Sequence, residues 1–177
     1  ALYHLRGAES ATKQYGVPLL VSESMRKLLS PPVQRVLRLV DRVVVKGSGQ
    51  PIKLYTYDAW ALGESLGRID SAQGSTRHLS NGIDLSRLSL SSFFAVVPPS
   101  SSEEYRTDFM VAMDAYLGGE GGLAADWHTA QLLFSRCVQK CPQDGVAKAL
   151  LDYVQTHCQP DGTAPPDWRG FRLLDSK

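Results

Sequence analysis

Hydrophobic and polar positions change their period along the chain, and the changes predict its elements. Leu2, Leu5, Ala8 and Thr12 recur near one face of a 3.6-residue period, which predicts a helix over residues 1–15 capped by Gly16. The continuous apolar run from Val17 to Val21 predicts a short buried strand. Ser22 or Ser24 can then cap a helix over "MRKLLS", which Pro31-Pro32 should stop. "VLRLVDRVVVKG" alternates well enough for a strand, although Val43 to Val45 run on unbroken. "QPIKLYTYDAW" predicts its partner, with Ile52, Leu54 and Thr56 on one face and Lys53, Tyr55 and Tyr57 on the other. Gly47-Ser48-Gly49 between them supplies the backbone freedom of a tight reversal.

From about Leu62 to Ser92 no period is sustained. The segment is rich in Ser and Gly, and reads as a linker or as an extended stretch wrapping a neighbouring surface. Helical periodicity returns after "FFAVVPPSSSEEY". One stripe is Tyr105, Phe109, Ala112, Met113 and Tyr116; a second is Trp127, Ala130, Leu133, Phe134, Cys137 and Val138. Val146, Ala149, Leu150, Tyr153 and Val154 make a third. Short connections, "GGEGG" among them, predict antiparallel neighbours in a three-helix pack, and "PPDWRGFRLLDSK" follows as a tail anchored by Trp168. The expected fold is therefore α+β over residues 1–60, a linker over 61–102 and a helical extension over 103–177.

Composition narrows the functions. A formal charge of +1 offers no electrostatic basis for binding nucleic acid. Arg35, Arg38, Arg42 and Lys53 alternate along the hairpin and read as a solvated sheet face. No apolar run approaches the roughly 20 residues of a membrane helix. Three cysteines, an odd count, suit a reducing, cytoplasmic setting better than a disulfide framework. The opening "ALYHLRGAESATK" reads as already inside a helix, so the chain is taken as part of a longer polypeptide, membrane-bound or cytoskeletal versions included. Cys137, Cys141, His157 and Cys158 offer soft-metal ligand types, but they lack a Cys-x2-Cys spacing, and small apolar packing is the simpler role. His128 reads as a rim residue, and no nucleophile–base set can be assembled around His78.

The ordered set "TKQYG", "VSES", "LVDRVVVKG" and "PIKLY", spanning about residues 1–58, resembles the C-terminal part of the class III adenylate/guanylate cyclase catalytic domain. The helical third resembles the extension that follows that domain in some members. The resemblance implies a ferredoxin-like domain working as a dimer with a second cyclase half, and ATP or GTP in the cleft between halves. It implies attack of the ribose 3′-oxygen on the α-phosphorus with loss of pyrophosphate, assisted by two Mg²⁺ or Mn²⁺ ions whose aspartate ligands would lie upstream of Ala1. It assigns Lys46 to the triphosphate. At the positions of the family's asparagine and arginine the chain has Tyr3 and Gly7. Neither can orient ribose or stabilise transition-state charge as those residues do. Two roles are then consistent with the sequence: the metal-bearing half of a paired cyclase, or a catalytically degenerate module that binds protein partners through the 103–158 helices.

Overall fold

The computed structural model of the protein describes residues 11–45, 49–57, 103–119 and 124–174, which form a mixed α+β structure. Its sheet contains β1 (Val21–Ser22), β2 (Arg38–Val45), β3 (Ile52–Thr56) and β4 (Arg172–Leu174), in the order β1-β3-β2-β4. The first three strands are antiparallel, whereas β4 lies parallel to β2. Residues 11–15 are helical as expected. The strand anticipated at 17–21 shrinks to Val21–Ser22. Pro18 has no amide proton for a ladder, and the carbonyl of Leu19 accepts from the Thr56 hydroxyl at 2.7 Å.

Ser22 provides the cap of α1 (Glu23–Leu28), accepting from the Met25 amide at 3.3 Å. Pro31-Pro32 does more than stop this helix: it begins α2 (Pro31–Val36), which the strand reading from Val36 onward did not anticipate. Proline lacks only an amide that has no partner in a helix's first turn, so it is well suited there. The expected cation face also needs correction. Arg42 and Lys53 are cross-strand partners and Arg35 is exposed on α2, but the Arg38 side chain is only 13% exposed and ion-paired.

A bulge interrupts the β2–β3 ladder. Leu39 lies opposite Tyr55 and Asp41 opposite Leu54, leaving Val40 as the extra residue. Val40 and Asp41 are consequently both fully buried, as is Val43. Without the extra residue, strict alternation would send one of the adjacent pair to the opposite face.

Three longer helices cover the sheet: α3 (Glu103–Leu117), α4 (Trp127–Lys140) and α5 (Gly145–His157). All five predicted α3 stripe residues are buried, as are Trp127, Ala130, Phe134 and Cys137 of α4. On α5, Ala147 takes the buried position expected for Ala149. Helices α3 and α4 run antiparallel. Lys140, at the end of α4, meets Glu104 and Asp108 near the start of α3, while the Asp126 amide donates to the Ala115 carbonyl.

One hydrophobic core joins these elements, running from Ala11 and Tyr15 through Val40, Val43 and Leu54 to the aromatic residues of α3 and α4. The 11–15 helical segment ends in close approach to α5. A Cβ on Gly145 would lie 2.5 Å from the Tyr15 carbonyl oxygen and 3.0 Å from Gly16 Cα. Residues 58–102, which contain the whole of the predicted linker, lie outside the described residues.

Candidate functional site

Two buried ionic clusters tie the sheet to the helices and to the C-terminal segment. The first grows from the β2 bulge. Asp41, 0% exposed, accepts from the Tyr15 hydroxyl at 2.6 Å and from the Arg42 amide at 2.7 Å. Arg172 of β4 completes it, with Nε 2.8 Å from the carboxylate and 3.1 Å from the Tyr15 oxygen. Its guanidinium also lies over the rings of Tyr15 and Tyr153, at 4.8 and 4.7 Å. Burial raises the Asp41 pKa, outweighing the opposing effects of Arg172 and the Tyr15 hydrogen bond. Burial, and then the Asp41 charge, hold Tyr15 well above the ordinary phenol range, so it serves as a neutral donor. The buried Tyr116 hydroxyl lies near the same carboxylate without reaching hydrogen-bond geometry, and Arg172 Nη2 has no partner among the described residues.

The second cluster centres on Asp144, which precedes α5. Its carboxylate caps the helix through the Val146 and Ala147 amides, at 2.9 and 3.3 Å. It also binds both terminal nitrogens of Arg38, at 2.8 and 3.1 Å, and accepts from the Tyr105 hydroxyl. Arg38 in turn lies 4.3 Å from the Phe109 ring. Burial opposes ionisation of Asp144, but the Arg38 charge and the hydrogen bonds from Arg38 and Tyr105 prevail and lower its pKa. This geometry is suited to holding β2, α3 and α5 together. A carboxylate this enclosed is not placed to meet a diffusing substrate.

The C-terminal segment reaches the sheet through an aromatic cluster. Trp168 Nε1 and Trp127 Nε1 both donate to the Tyr116 carbonyl, at 2.9 and 3.1 Å. The Trp168 ring centroid lies 5.0 Å from that of Tyr116 and 5.1 Å from that of Trp127. Trp168 thus acts as an anchor on the same molecule. Beyond it the chain enters β4, placing Arg172 opposite Val43 and Leu174 opposite Val45.

Lys46, Tyr3 and Gly7, the positions singled out from the cyclase resemblance, lie outside the described residues. Val45, which precedes Lys46, is described and is the last residue of β2. Among the described residues there is no group of three His, Cys, Asp or Glu side chains that could hold a metal ion. Cys137 and Cys141 are buried, His128 is exposed, and His157 stacks on Tyr153 at 4.2 Å. None of the described helices is long and apolar enough to cross a membrane.

Sequence alone does not reveal Asp41, Tyr15 and Arg172 as one connected set, or Asp144, Arg38 and Tyr105 as another. A charge inside the apolar run "LVDRVVV", and an Asp-Gly step opening a helical stripe, were the available signals. Their partners lie on distant segments. Comparisons with protein-family models, curated proteins and solved structures return no significant match.

Proposed function

We propose that this chain carries the C-terminal part of a class III nucleotidyl cyclase domain, acting with a complementary half to convert ATP or GTP into a cyclic nucleotide and pyrophosphate. One arrangement supports the reading. The strand of "VSES", the strand of "LVDRVVV" and the strand of "IKLYT" make a single antiparallel unit in the order β1-β3-β2, and Lys46 follows directly on Val45. The Lys46 ammonium would bind triphosphate oxygens electrostatically. The complementary half would supply the asparagine and arginine functions missing at Tyr3 and Gly7. Mg²⁺ or Mn²⁺ would neutralise phosphate charge when bound, on ligands from upstream sequence.

Tyr3 and Gly7 also favour a second reading, a degenerate cyclase-homology module whose α3–α5 pack serves as an interaction surface. The two readings separate on two measurements with Mn²⁺ present: cyclic nucleotide formation, alone and with a complementary half, and binding of a fluorescent ATP or GTP analogue. On the catalytic reading the mixture forms product, and Lys46→Ala weakens analogue binding about tenfold, or ~1.4 kcal/mol. No product in either case, together with no analogue binding, would leave only the module.

A further inference from the structure

The net charge of +1 conceals two oppositely charged halves. Among the described residues, 11–57 hold seven Lys or Arg against two Asp or Glu, a net charge of +5. Those of 103–174 hold six against nine, a net charge of −3. The buried pairs Arg38–Asp144 and Arg172–Asp41 each withdraw one charge from both halves, with opposite signs, so the imbalance persists at the surface.

The positive half also carries apolar side chains at its surface. Neither α1 nor α2 has a buried residue, and Leu19, Met25, Leu28 and Val36 are exposed, Leu28 to 82%. Met25 and Leu28 stand three apart on α1, hence on one side of it. Arg26 leaves from another side: its guanidinium lies 4.8 Å from the Tyr55 ring centroid, and its Nη2 donates to the Gln34 carbonyl at 3.0 Å. Gln34 Nε2 donates to the Leu29 carbonyl at 2.7 Å. The two helices are thus fastened to each other and to β3, while Met25 and Leu28 stay outside. Tyr55 alternates with the core residue Leu54, so Arg26 meets the sheet face opposite α3–α5. Lys27, its side chain 69% exposed, and exposed Arg35 flank the apolar pair. Glu23, the one acid within residues 19–36, lies 3.6 Å from Lys27 in an exposed pair too weak to cancel its charge.

We infer that α1 and α2 form a membrane-docking surface. Met25 and Leu28 enter the headgroup–acyl boundary of an anionic bilayer, and Lys27 and Arg35 meet its acidic headgroups. Leu28 projects instead of lining a groove. A fluid bilayer accepts such a side chain without a matching cavity, whereas a protein hot spot fills a pocket. Apolar contact and positive charge also occur together here, and interfacial binding grows with both. The negatively charged helices then lie on the sheet face turned away from the lipid. This surface does not depend on any cyclase activity.

Cosedimentation of the full chain with vesicles tests the surface. Equal parts of phosphatidylserine and phosphatidylcholine should carry the chain down, phosphatidylcholine alone much less, and high salt should release it. Leu28→Ser should weaken binding about tenfold, and Lys27→Gln and Arg35→Gln about fivefold each. Leu132→Ser, at a 61% exposed position of α4 in the negative half, should leave binding unchanged. These side chains are all at the surface, so urea midpoints should stay close to that of the unsubstituted chain; Met25→Ser replaces Leu28→Ser if the latter does not fold. No sedimentation with the mixed vesicles, equal binding to both vesicle types, or equal losses for Leu28→Ser and Leu132→Ser would overturn the assignment. A chain that ignores vesicles but forms a dimer dissociated by Leu28→Ser would give this face to a second copy, and the membrane role would fall.

Discussion

Replacing Asp144 provides the sharpest test of how the sheet and helices are joined. Asp144→Ala removes the cap of α5 and leaves Arg38, 13% exposed, without its carboxylate. Truncating one member of a buried ion pair costs about 3–5 kcal/mol, and losing an N-cap about 1 kcal/mol. One carboxylate supplies both effects and Arg38 keeps some access to water, so about 4 kcal/mol is expected. Asp144→Asn retains a capping oxygen but no charge for Arg38, and should cost about 2 kcal/mol.

With a urea slope of about 2 kcal/mol per M, the unfolding midpoints should fall by about 2 M and 1 M respectively. A double-mutant cycle with Arg38→Met should recover about 2 kcal/mol, because no buried cation then remains to be neutralised. The pH dependence has a definite sign. Asp144 has a lowered pKa in the folded chain, so its contribution is present above the ordinary aspartate value of about 3.9 and is lost as pH falls below it. That acid-side loss should disappear in Asp144→Ala. Equal losses for the Ala and Asn variants, or a coupling energy below about 0.5 kcal/mol, would refute a shared cap and ion pair.

Other outcomes test the remaining contacts. Gly145→Ala, which in an open helix would stabilise by up to about 1 kcal/mol, should instead destabilise by about 1–3 kcal/mol on thermal or urea unfolding, because its methyl would meet the Tyr15 carbonyl. Asp41 has a raised pKa, so its contribution is full below about pH 3.9 and declines as pH rises through the folded-state value. Asp41→Asn should remove that slope from a stability–pH profile while lowering overall stability, since Arg172 loses its counter-ion. Burial pushes the Cys137 thiol up to about 12 and also raises that of Cys141. Titration of the native protein with a disulfide reagent at pH 8 should therefore modify Cys158 first, and the other two only after denaturation.

The helices were legible because each carries enough turns for its apolar stripe to repeat, and the α3 stripe from Tyr105 to Tyr116 is buried as read. The β2–β3 hairpin was legible from alternation and its glycine-rich reversal. Three features were not. The bulge at Val40 is a register event that depends on Leu54 and Tyr55 across the ladder, so no local pattern encodes it. The helix begun by Pro31 was hidden because proline is usually read as a stop. β4 is only three residues long, too short for a period, and takes its place from Arg172 reaching Asp41. For the candidate site, the sequence offered Lys46 by resemblance but gave no view of the two buried carboxylates, because their cations arrive from other elements.

The contact between Arg172 and Tyr15 closes over 157 residues of sequence. During synthesis at about 5–20 residues per second, the chain around Tyr15 and Asp41 must wait roughly 7–30 seconds for its cation to be made. Until then Asp41 has no ionic partner to offset its burial, and the β2 edge lacks its parallel neighbour. The nascent N-terminal part should therefore remain loosely packed on the ribosome, with an open strand edge available to chaperones or to other nascent chains. Long-range closure of this kind also predicts slow refolding in vitro, limited by arrival of β4 and not by formation of the α3–α4 pair.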